Sequence, residues 1–106
     1  MGSGRAEVGK SGVSKLSDAV LCSDLSAMKE AITSGADVNE VDAKHRMTPL
    51  LWAILRGDVD AVRLLLTSGA NPNLTYHPNA SPLWHAEDDF GLTEIAELLK
   101  AYGAKK

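Results

Sequence analysis

A five-residue phrase recurs at a fixed interval, and that interval confines the chain to repeat architectures. Gly35-Ala36-Asp37-Val38-Asn39 returns as Gly69-Ala70-Asn71-Pro72-Asn73 and, shortened, as Gly103-Ala104, each step being 34 residues. A second phrase, Thr48-Pro49-Leu50-Leu51-Trp52-Ala53, returns 33 residues later as Ser81-Pro82-Leu83-Trp84-His85-Ala86. The unequal steps locate two differences of one residue. The connection 40–47 is one longer than 74–80, and the stretch from Ala86 to Gly91 is one longer than that from Ala53 to Gly57. A period of this size marks units that cannot cover their own apolar face and must stack to bury it.

Each unit reads as two short helices and a loop. Thr48 and Ser81 are good N-caps, and the proline after each fits the first turn, where its missing N–H costs nothing. Gly57 and Gly91 are candidates for left-handed C-terminal positions. Asp58 then caps a second helix whose apolar face is Val59, Val62, Leu65 and Leu66, ending at Gly69. Ile95, Leu98, Leu99 and Tyr102 repeat that face before Gly103. The first unit aligns by register: Leu16, Ala19, Val20 and Leu21, then Asp24 as cap, then Met28, Ala31 and Ile32. Stacking is expected to bury Leu50, Trp52, Val62, Leu65 and Leu66 between neighbouring units.

These residues resemble the ankyrin repeat pattern. Asp42, Thr48, Pro49, Leu50, Ala53, Gly57, Val62, Leu65, Leu66, Gly69, Ala70 and Asn73 all fall on it. Two departures stand out. Leu51 and Trp84 replace the histidine that follows Thr-Pro-Leu, and His45 or Arg46 stands where the loop glycine lies, so the first loop should differ from the family's hairpin. The resemblance implies an all-α fold, an ankyrin-type helix-turn-helix solenoid of three stacked repeats with hairpin-like loops. Repeats run at about 14–42, 43–75 and 76–106, behind a flexible tail at 1–13 that is rich in glycine and serine.

The resemblance also implies a non-catalytic protein-binding module that uses its loop tips and the concave face of its inner helices. The positions this points to are Lys44, His45, Arg46 and Met47 in the first loop, and Tyr76, His77 and Asn79 in the second. Leu55 and Arg56 end one inner helix, and Asp88, Asp89 and Phe90 end the next. Their composition suits an interface, where tyrosine, arginine, methionine and phenylalanine are enriched. A regulator that inhibits a partner enzyme or toxin by occluding it would use the same surface. Lys44-His45-Arg46 against Glu87-Asp88-Asp89 gives this side a basic and an acidic end, which could orient a partner.

Composition removes most rivals. A formal charge of −3 gives no nucleic-acid or acidic-membrane footprint, and no apolar run reaches the roughly 18–20 residues that span a bilayer. The N-terminus carries no signal-peptide pattern, so a cytoplasmic, monomeric protein with a protein partner and no cofactor is expected. Cys22 alone cannot form an internal disulfide and reads as a small core residue of the first inner helix. His85 and Asp89 are four apart, but an ion pair or helix-end contact explains them better than a metal, and His85 falls where the family is apolar. Gly4 to Ser11 matches the P-loop spacing, which leaves nucleotide binding as a weaker alternative. That loop needs a buried strand before it and a helix after it, and only three residues precede the match. The chain closes on Gly103-Ala104-Lys105-Lys106, whose two cations suit a helix C-terminus and read as a true stop.

Overall fold

A computed structural model describes residues 15–41, 46–74, 81–89 and 91–105. The first loop tip (42–45), most of the second (75–80), the tail with its P-loop spacing, and Phe90 lie outside the described residues. The helices pair as expected: α1 (Lys15–Leu21) with α2 (Leu25–Thr33), and α3 (Pro49–Arg56) with α4 (Val59–Thr67). In the last pair, α5 (Pro82–Trp84) continues into a π turn (His85–Asp89) before α6 (Thr93–Ala101). Among the described residues there is no strand.

Two layers result. In the inner layer α3 lies between α1 and the α5–π segment; in the outer layer α4 lies between α2 and α6. The core runs along the seam, with Leu16, Val20, Met28, Leu50, Ala53, Ile54, Val62, Leu65, Ile95 and Leu99 all at 0–1% exposure. Burial of such side chains, at roughly 25 cal/mol per Å², is what holds units this short together.

Local chemistry starts and stops each helix. The Thr48 hydroxyl accepts from the Leu51 N–H at 3.1 Å, and the Ser81 hydroxyl accepts from the Trp84 N–H at 3.1 Å. Asp24 and Asp58 accept in the same way from the N–H groups of Ala27 and Ala61. Gly57 and Gly91 occupy the left-handed region at φ 65° and 66°. The first repeat places Ser23 at the same point, 34 residues before Gly57, with φ 55°.

The recurring asparagines lock one repeat to the next. The Asn39 side chain accepts from the Asn71 N–H at 2.6 Å and donates to the Gly69 carbonyl at 3.4 Å. Thirty-four residues on, Asn73 accepts from the Lys105 N–H at 2.7 Å and donates to the Gly103 carbonyl at 3.2 Å. Each amide side chain thus satisfies backbone groups of the following unit that the helices leave unpaired.

Several sequence expectations need correction. Cys22 is exposed, in the turn that follows α1, because that helix ends at Leu21 and its face is filled by Leu16, Ala19 and Val20. Trp52 is only partly buried, since Leu51 and Ile54 take the inward positions of α3. Tyr102 is 43% exposed, lying one residue beyond α6 rather than on its buried face. Residues 85–89 form a π turn rather than a continued α-helix, so the α spacing does not apply to His85 and Asp89.

Candidate functional site

The exposed side of the inner layer is set by what α3 buries. Pro49, Leu50, Leu51, Ala53 and Ile54 face inward, and the remaining positions are Trp52, Leu55 and Arg56. These three stand at i, i+3 and i+4, one stripe on one side of a helix. Leu55 is 46% exposed and Arg56 is exposed, while Trp52 lies half-buried at the base of the stripe. Thr48 fixes where the helix begins and Gly57 where it ends, so the stripe rests on a rigid element rather than on a loop.

Arg46 and Met47 lead into α3. Arg46 is exposed and adopts φ 55°, and Met47 is half-buried beside it. The neighbouring inner segment carries Trp84 and His85, both half-buried, with rings packed edge to face at 5.3 Å between centroids and 77° between planes. The backbone of Asp88 and Asp89 closes the π turn at the end of that segment. Of the other sequence candidates, Lys44, His45, Tyr76, His77, Asn79 and Phe90 fall outside the described residues.

A groove of about 350 Å³ opens at the last repeat, lined by Glu87, Gly91, Thr93, Ala96, Glu97 and Lys100. Lys100 Nζ lies 2.7 Å from Glu87 Oε2 and ties α6 to the π turn there. This lining is polar and two of its three charged side chains are paired with each other, so it offers no enclosed apolar pocket of the kind small ligands occupy. Among the described residues, no group of three histidine, cysteine or acidic side chains could hold a metal ion. No helix in the described residues is long and apolar enough to cross a membrane.

Sequence reasoning gave the ends of α3 and the two arginines, but it assigned Trp52 wholly to the core. The residues it left without a role are Asn39 and Asn73. Their 34-residue recurrence was visible, and the interlocking of adjacent repeats is its physical cause.

Known proteins carry the same arrangement. The family model for ankyrin repeats in three copies matches residues 16–106. The mouse B-cell lymphoma 3 protein homolog is 36% identical over 70 residues, covering 66% of this chain and 15% of that relative. The chain therefore spans only a small part of the curated relatives it matches. Among solved structures, the Legionella effector AnkH superposes with a TM-score of 0.86 at 30% identity, over 98% of this chain and 22% of that one. An ankyrin repeat domain from Acinetobacter baumannii gives 0.80 at 36% identity, over 89% of this chain and 50% of that one. With family model, relatives and architecture in agreement over nearly all of its described length, the chain belongs to the ankyrin repeat family.

Proposed function

We propose that this chain is a non-catalytic module, with 14–106 as its repeat domain, that binds a protein partner through its loop tips and the concave face of its inner helices. Ankyrin repeats are generally protein–protein interaction modules, and their fold is generally a scaffold rather than a catalyst. The observation that carries the reading for this chain is the solvent face of α3. There a leucine at 46% exposure sits between an arginine and a tryptophan on a helix fixed at both ends. Tryptophan and arginine are the side chains in which interface energy concentrates, and the exposed leucine extends their apolar area. The face used extends to the loop positions Lys44, His45, Tyr76, His77 and Asn79, and to Asp88, Asp89 and Phe90.

A photo-crosslinking amino acid placed at Leu55 tests this against one placed at Glu97, an exposed position on α6. In lysate from the native source, position 55 should give a discrete protein adduct and position 97 none. Adducts from position 97 alone would move the binding face to the outer helices.

A further inference from the structure

The middle repeat differs in charge from both of its neighbours. Residues 46–74 hold three arginines against two carboxylates, whereas 15–41 and 81–105 each hold five carboxylates against two lysines. Of the three arginines, Arg63 is paired with Asp60 at 3.5 Å on α4. Arg46 and Arg56 form no ion pair with a described residue, and both are exposed. Arg56 is the last residue of α3 and Arg46 stands three residues before its first, with Trp52 and Leu55 between them in the chain.

Arg46 carries a second mark. Its φ of 55° lies in the left-handed region, where a Cβ crowds the backbone and glycine is at ease. The turn takes this conformation where the family's loop carries glycine, so the fold does not call for an arginine there, and its guanidinium forms no ion pair with a described residue. Strained positions of this kind cluster at ligand clamps and binding sites.

Resting on the binding-module reading above, we propose that the middle repeat holds an extended acidic segment of the partner. Arg46 and Arg56 take one carboxylate each, and an apolar side chain between those carboxylates lies on Trp52 and Leu55. Alternate side chains of an extended chain share one face, so the two acidic residues and the apolar residue between them stand at alternate positions of the segment. The carboxylate-rich repeats on either side repel such a segment and keep it in register on the middle one.

Selection of random peptides of about a dozen residues, displayed on phage, against the full chain tests the pattern directly. Enriched sequences should carry two acidic residues with an apolar residue between them, all at alternate positions. The best peptide, resynthesised and labelled, should bind about fivefold more weakly to Arg56→Ala, an effect expected of an exposed ion pair. Arg46→Gly should lose a similar factor while its melting temperature rises, which separates recognition from folding. Glu97→Ala should bind as the parent does. Enrichment of basic or patternless peptides, no enrichment at all, or unchanged affinity in Arg46→Gly and Arg56→Ala would each overturn the proposal. A crosslink from position 55 surviving any of those results would leave the binding module standing and remove only its acidic ligand.

Discussion

The middle and third repeats follow one plan with a single residue's difference, and that difference shows which parts of the plan are fixed. In the middle repeat α3 ends at Gly57, and the Asp58 N–H donates to the Ala53 carbonyl at 3.1 Å. In the third, the Leu92 N–H donates to the Ala86 carbonyl at 2.6 Å, although one more residue lies between them. Both glycines keep φ near 65°. The alanine carbonyl and the left-handed glycine keep their places while the surplus residue enters the helix itself and widens it into the π turn. The start of the next helix changes too. Asp58 caps α4 through its side chain, whereas Leu92 gives α6 no such bond and packs against the core instead. Position in the stack is thus held by backbone anchors and burial, and capping is dispensable where packing replaces it.

Five substitutions sharpen the comparison. Leu65 and Leu99 occupy the same place in the two repeats, and both are fully buried. Leu65→Ala should cost more of the roughly 2–5 kcal/mol expected of such a truncation than Leu99→Ala. The middle site is enclosed by units on both sides and cannot collapse as readily; urea denaturation of the two variants measures the gap. Next come the caps. Thr48 is 2% exposed and Ser81 half-buried, so Thr48→Ala should lose about 1–2 kcal/mol and Ser81→Ala about 1. Thermal melts that rank Ser81→Ala as the more damaging would contradict burial as what sets the value of each cap. The smallest effect carries the opposite sign. Ser23→Gly places a glycine where Gly57 and Gly91 already stand and should raise stability by about 0.5–1 kcal/mol.

The sequence makes some of this readable and hides the rest for physical reasons. Caps, prolines and left-handed glycines are local signals, and Thr48, Ser81, Asp58, Gly57 and Gly91 act where their residue types direct. The 33-against-34 mismatch pointed to a surplus residue between Ala86 and Gly91. That it becomes a π turn depends on the Leu92–Ala86 bond and the left-handed Gly91 keeping their places, which spacing alone does not encode. Trp52 misleads because its large apolar area suggests the core, while Leu51 and Ile54 take the inward places first. Tyr102 misleads in a similar way, because α6 ends at Ala101 before the face can continue. Of the candidate site, Arg46, Met47, Leu55 and Arg56 were legible because family resemblance marks loop tips and helix ends. Their joining into a stripe with Trp52 required knowing which side of α3 is buried.

The most direct test of the whole account is an amide and indole chemical-shift map of the full chain, titrated with the selected acidic peptide. The account predicts saturable shifts at Arg46, Met47, Leu55 and Arg56 and at the Trp52 indole N–H, weakening as salt rises from about 50 mM to about 500 mM. Shifts confined to α4 and α6, with the α3 stripe silent, would contradict it.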